Sequence, residues 1–315
     1  MQALVTKGNR ELAIIPAMDT LIESFLSAQD VSPSSKKTYG RSLRQFFLWM
    51  EQEGISHPTR EDIISFKEYL TGEGKSPMTA GSYLVVVRKF FTWLQSEGKY
   101  PNIAQDVKNP RKPKGFRKDC LTVAQVKDLL SMHKRFTNHL EGKRTYALLN
   151  LLIRTGLRTI ELSRANIEDI RQQSGEAVLW IQGKGRTEKD EFVLLTPDTL
   201  NPLNDYLQSR GPIKGEDPLF ISLSDKNRGG RLTTRSISRI VKNALFMAGL
   251  KSPRLTAHST RHTAITLSLL GGANIQEAQA MARHSSINTT LIYAHNINRV
   301  AHAPERKIDS LLSCQ

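Results

Sequence analysis

Two helical domains, the second carrying one small antiparallel sheet, are what this 315-residue sequence predicts. Three observations lead to that mainly α fold. Apolar residues recur at helical spacing from about Ala17 to Gln95, and again in several stretches beyond Leu121. A basic run holding two prolines and a glycine separates the two regions. Only Ala177–Gln182 and Phe192–Leu195 read as strands. The length itself exceeds that of a typical single domain.

Residues 1–16 read as a loose leader. Pro33-Ser34-Ser35 then opens a helix that carries Tyr39, Leu43, Phe46, Phe47 and Met50 on one face and stops at Gly54. Thr59 with Asp62 forms a capping-box pattern ahead of Ile63, Phe66 and Leu70. Pro77 opens a further helix with Leu84, Val87, Phe90, Phe91 and Leu94, closed by Gly98. Aromatics at helical period build a four-helix core in preference to a base-stacking surface. The domain is expected to span 17–105 and the basic linker 106–119. Within that linker Lys112 and Lys114 are either plain solvated charges or part of a strap along a phosphate backbone.

The second domain, 120–315, opens with Thr122 and Gln125 as a capping box. A helix is expected around Tyr146–Arg154. The two strands are joined by the polar hairpin Gly183-Lys184-Gly185-Arg186-Thr187-Glu188-Lys189, and helices resume near Asp198, Thr234, Ser259, Ile275 and Ser286.

Net charge narrows the partner. With 45 Lys and Arg against 30 Asp and Glu, the chain carries +15 and a pI near 9.9, which favours a polyanion such as nucleic acid. Cys120 and Cys314 are too few for a disulfide framework or a zinc site, so a reducing compartment is expected. No apolar stretch has the length of a signal core or a membrane span, and a soluble cytoplasmic protein with no membrane partner is the reading.

Side chains suited to phosphate chemistry gather late in the chain. Thr155-Gly156-Leu157-Arg158 is followed by Glu161-Leu162; Lys184 sits in the hairpin; then come His258-Ser259-Thr260-Arg261-His262, His284-Ser285-Ser286 and Leu291-Ile292-Tyr293. Each motif alone is weak: a Tyr on an amphipathic helix is usually half-buried core, and a Lys in a Gly-Lys-Gly turn is usually just solvated. Their combination is specific. No acidic cluster accompanies them to hold Mg²⁺, and no Cys or carboxylate joins the histidines at metal-ligand spacing, so neither metal nor cofactor is expected.

In order and spacing, these boxes resemble those of the tyrosine recombinases, the lambda-integrase family, and most closely its compact Xer-like members. The likeness runs from about residue 17 onward. It implies a helical SAM-like core-binding domain, then a mostly helical catalytic domain whose C-terminal tail is exchanged between subunits. It further implies a homotetramer on two sites with inverted-repeat core sequences, a Holliday-junction route, and an accessory directionality or host DNA-bending protein. One departure is visible: Ala282-Arg283-His284 stands where the family usually has Leu-Gly-His, which is expected to change the local turn while keeping the imidazole.

The chemistry agrees with the residue types. Arg158 and Arg261 offer permanently charged planar forks for two phosphate oxygens. The Tyr293 phenol, with an ordinary pKa of about 10, needs a base, for which His258 is the candidate. His284 is read as a hydrogen-bond donor to the phosphate, and Lys184 as the acid for the leaving 5′-oxygen. Glu161 is read as an orienter of an arginine and His262 as a packing or hydrogen-bonding residue. A 3′-phosphotyrosine product conserves the ester bond, so ATP is not needed.

Further DNA contacts are expected from Lys36, Lys37, Arg41 and Arg44 near one helix start, from Arg88 on another helix, and from Arg235 and Arg239 on a third. A type IB topoisomerase is the rival enzyme; it commonly carries Lys where this chain has His258, which favours a recombinase. A catalytically silent DNA-binding module is the non-enzymatic rival, opposed by the complete residue set. Within the recombinases, the leader and the Arg283 departure favour a mobile-element integrase over chromosome or plasmid dimer resolution. No extra arm-binding domain is evident ahead of residue 17.

Overall fold

The computed structural model describes residues 18–111, 119–183, 185–301 and 304–313. The leader 1–16, Lys112, Lys114 and Lys184 therefore lie outside the described residues. The chain divides into two compact units, Met1–Gly115 and Phe116–Gln315.

Unit one contains helices α1 (Met18–Ala28), α2 (Pro33–Gln52), α3 (Arg60–Gly72) and α4 (Pro77–Ser96). Their ends follow from single residues. Ser32 and Ser76 accept backbone N–H bonds at the starts of α2 and α4, each with proline at the first turn. The Asp62 carboxylate accepts from the Thr59 N–H at 2.7 Å, as the capping pattern requires. Gly54 and Gly98, at φ 68° and 64°, stop α2 and α4 in the left-handed conformation that suits glycine. The buried faces hold an aromatic core: Phe46 meets Phe66 edge-on at 4.9 Å, and Phe90 meets Phe25 at 5.5 Å. These rings are buried, so they serve packing, as the periodicity predicts. Val107 also joins this core.

Unit two holds α5 (Val123–Lys134), α6 (Leu140–Thr155), α7 (Thr159–Arg164), a three-stranded sheet, α8 (Pro197–Gln208), α9 (Thr234–Met247), α10 (Ala257–Leu270), α11 (Ile275–Ala282), α12 (Ile287–Ala301) and α13 (Pro304–Leu312). Helix α6 is buried along most of its length and packs against α5, α8 and α10, which makes it the axis of the unit. The sheet is antiparallel in the order β1 (Ile170–Gln173), β2 (Glu176–Ile181), β3 (Glu191–Leu194). Strands β2 and β3 match the sequence reading within a residue. Strand β1 was not foreseen: Ile-Arg-Gln-Gln has no apolar alternation, and its pairing with β2 depends on the Ser174-Gly175 turn, with φ 51° and 82°. Among the described residues, no helix is long and apolar enough to cross a membrane.

Candidate active site

The site is built where α6 ends. Gly156 takes φ 64°, and its N–H bonds the Leu152 carbonyl, so the chain turns sharply into Leu157-Arg158. A Cβ there would meet Ala264 and Met281 only in ordinary contact, so the positive φ and not space is what calls for glycine. Arg158 precedes α7, and Glu161 on that helix folds back. Its carboxylate accepts from the Arg158 N–H at 2.8 Å and from the Arg158 guanidinium at 2.6 Å.

Two further arginines converge on the same turn. Arg261 on α10 is 2% exposed and donates to the Gly156 carbonyl at 2.6 Å and to the Ala282 carbonyl. Arg283, directly after α11, donates to Glu161 at 2.9 Å and to the Met281 carbonyl at 2.7 Å, while its own carbonyl accepts from Arg158 at 3.2 Å. Two guanidinium groups thus pair with one fully buried carboxylate, and the third, Arg261, lies within its electrostatic reach. The cluster keeps a net positive charge, which suits an anion. Burial lowers the Arg261 pKa to about 10, with Arg158 and Arg283 adding to the shift and Glu161 opposing it; Arg261 stays charged at neutral pH.

The Arg283 backbone corrects one expectation. It adopts φ 52°, ψ 50°, the left-handed turn that glycine makes easily, so the turn is kept and the arginine carries its strain. That strain costs about 1–2 kcal/mol for an L residue, and the bond to Glu161 fixes the side chain in that turn.

The histidines and the phenol lie beside this cluster. His258 and His262, one helical turn apart on α10, meet edge-on at 4.5 Å between ring centroids. His262 Nδ1 is hydrogen-bonded to the Tyr293 hydroxyl. Tyr293 on α12 is 5% exposed and packs with Ile265 and Ala282. Burial pushes its phenol up to about 12; Arg261 pulls the other way, and Cys120 adds to the rise. His284, between α11 and α12, faces the Tyr293 ring at 6.2 Å and shares a 2.9 Å bond between Nδ1 and Thr290 Oγ1. Burial, then Arg261, Arg158, Arg283 and His258, hold His284 down at about 4, so it is neutral at physiological pH.

A stability effect follows. Because the folded pKa of His284 lies below its ordinary 6.5, its contribution is full above pH 6.5 and is lost as pH falls through about 4. Thermal melts are expected to show a falling Tm over that window, and His284→Gln to flatten part of it. An equally steep fall in the variant would contradict the assignment.

The structure therefore brings Arg158, Arg261, His258, His284 and Tyr293 into one neighbourhood of unit two. The positions of Arg283 and of His262 against the phenol went unread in the sequence. The spacing of His262 from His258 did place both on one helix face, whereas nothing signalled that Arg283 would turn inward. Among the described residues, no group of three or more His, Cys, Asp or Glu is placed to hold a metal ion.

The expected outer DNA contacts divide into two kinds. Lys36, Lys37, Arg41 and Arg44 line an open groove of about 670 Å³ on unit one, and Arg235 and Arg239 line one of about 880 Å³ on unit two. Arg88 is engaged inside its own unit, donating to Asn109 Oδ1 at 3.0 Å and to the Val107 carbonyl.

Comparison with known proteins gives a consistent outcome. Residues 119–299 match the phage integrase family, and residues 19–98 match the phage integrase N-terminal SAM-like domain. A tyrosine recombinase of Synechococcus elongatus is 29% identical over 294 residues, covering 89% of this chain and 90% of that protein. Tyrosine recombinase XerD of Listeria monocytogenes is 30% identical over 292 residues, covering 88% and 94%. The crystal structure of XerH site-specific recombinase bound to palindromic difH substrate superposes with a TM-score of 0.73 at 21% identity, over 91% of this chain and 84% of that one; this likeness is one of fold. A family match over more than half the sequence, joined to a near full-length relative, identifies the chain as a member of the phage integrase family, the tyrosine recombinases, which are DNA strand-transferring enzymes.

Proposed function

We propose that the protein is a site-specific DNA recombinase that cuts and rejoins strands through a 3′-phosphotyrosine at Tyr293, serving integration or excision of a mobile element. The observation that carries this reading is the surplus of guanidinium charge beside a buried phenol. A scissile phosphate entering there meets the Arg158 and Arg261 forks, which neutralise the charge that builds on its non-bridging oxygens. Neutral His284 adds a hydrogen bond. Tyr293 attacks in line, and the 5′-oxygen leaves with a proton for which Lys184 is the proposed donor. One phosphoester replaces another, so the step reverses when a different 5′-hydroxyl attacks, without ATP or metal.

A duplex with inverted-repeat core sites is the proposed substrate. The grooves bearing Arg41 and Arg44 on unit one and Arg235 and Arg239 on unit two supply the flanking phosphate contacts, with Lys112 and Lys114 between them in sequence. A homotetramer on two such sites is the proposed assembly. Helix α13 supports it, because Ile308, Leu311 and Leu312 are 54%, 79% and 77% exposed and together form an apolar face without a cover in the monomer's described residues. Deleting 303–315 is expected to leave single-site binding intact and to impair recombination between two sites; unimpaired recombination would remove the tail from the account.

Dimer resolution is a second reading, favoured by the near full-length likeness to a protein named XerD. Footprinting separates the two. Protection of DNA flanking the protein's own coding region supports the mobile-element role, and protection of a chromosomal site elsewhere supports resolution. For the reaction itself, a nicked suicide substrate is expected to trap a covalent protein–DNA complex. Relaxation of plasmid lacking any specific site would instead mark a topoisomerase.

A further inference from the structure

The Tyr293 phenol must lose its proton to attack, yet it is 5% exposed and its pKa is pushed up to about 12. Bulk hydroxide therefore reaches it poorly, and a base in contact has to serve. Among the described residues, the ionisable groups around it can be compared. Arg261 is a cation and accepts nothing. Cys120 is exposed and has the smallest of these influences on the phenol, adding to its rise. His284 lies nearly parallel to the Tyr293 ring, inclined 21°, and its Nδ1 is engaged with Thr290. His258 is exposed and meets the His262 ring edge-on. His262 is half-buried, and its Nδ1 is the atom bonded to the hydroxyl.

We propose that His262, and not His258, is the general base that takes the Tyr293 proton; this rests on Tyr293 being the nucleophile. The step balances. The Nδ1 lone pair receives the phenolic proton, which leaves an imidazolium with its second proton on Nε2. The tyrosine oxygen forms its bond to phosphorus as the bond from phosphorus to the 5′-oxygen breaks, and that oxygen takes its proton from the separate acid. On rejoining, His262 returns the proton to the tyrosine oxygen. The placement also couples base to clamp. His262 directly follows Arg261, whose guanidinium is fixed by two carbonyls, so one turn of α10 holds the phosphate ligand and the proton acceptor in constant relation. His258 then acts as a positioning residue, its edge fixing the plane of the His262 ring.

The test is single-turnover attachment of the full chain to a nicked suicide duplex. His262→Asn keeps a polar group near the Nδ1 position but cannot take the proton. It is expected to attach about 10²- to 10⁴-fold more slowly while binding the duplex normally by gel shift, and to lose the plateau of the rate against pH. His262→Gln repeats the measurement should the first variant fold poorly. A duplex with a bridging 5′-phosphorothiolate separates base from acid, because the leaving sulfur needs no proton. It should restore Lys184→Ala and leave His262→Asn slow. Attachment by His262→Asn at or above the wild-type rate would overturn the proposal, showing that the hydrogen bond merely stores the phenol. So would its rescue by the phosphorothiolate. Failure of the wild-type chain to attach, or attachment by Tyr293→Phe, would instead sink the nucleophile assignment itself.

Discussion

Arg261→Ala is expected to slow covalent attachment to DNA by at least about 10²- to 10³-fold, the range typical when a preorganised donor to a developing oxyanion is removed. The side chain is 2% exposed and anchored to the Gly156 and Ala282 carbonyls, so in the proposed role it would meet a phosphate already in place and lose little ordering entropy. Its removal also deprives both carbonyls of a charged donor inside the fold, at about 1–3 kcal/mol of stability for each acceptor left unmade. Arg261→Lys restores charge without the planar fork and is expected to recover only part of the rate. Single-turnover kinetics with a parallel thermal melt check both effects. An alanine variant within tenfold of wild type would show that the clamp lies elsewhere.

Tyr293→Phe is expected to abolish attachment altogether while sparing the fold and DNA binding. The ring packs against Ile265 and Ala282, and phenylalanine preserves that packing. The lost hydroxyl costs about 0.5–1.5 kcal/mol, the usual net value of one hydrogen bond. The shifted phenol also fixes the sign of an alkaline effect. Since the folded pKa of about 12 exceeds the ordinary 10, this group's stabilisation is complete below pH 10 and is lost as pH rises through 12. The phenylalanine variant should not lose that portion on an alkaline melt. Denaturant midpoints and gel shifts measure the first claims, and residual attachment by the variant would contradict the third.

Much of this molecule was legible as sequence because the signals were local. Ser32-Pro33, Thr59 with Asp62, and Gly54 and Gly98 mark helix ends through hydrogen bonds and φ angles that depend on immediate neighbours. That Arg158, His258, Arg261, His284 and Tyr293 would share one neighbourhood was legible through their order and spacing along the chain. What escaped depends on contacts distant in sequence. Strand β1 is polar and is recruited by its turn and by pairing with β2. Arg283 was noticed as a departure from the family's motif, but its inward course to Glu161 needs α7 and α11 brought together in space. Arg88 read as a free cation on a helix, whereas the chain after α4 folds back to occupy it. Periodicity cannot separate a solvated arginine from one that ties down a loop.

Sequencing the protein–DNA bond tests the central claim most directly. The full chain is trapped on a nicked duplex, digested, and the peptide bearing the nucleotide is read by mass spectrometry. The account predicts a single adduct on the Tyr293 side chain, joined to a 3′-phosphate. An adduct on any other residue, a 5′-linked one, or free cleaved ends with no adduct would contradict it.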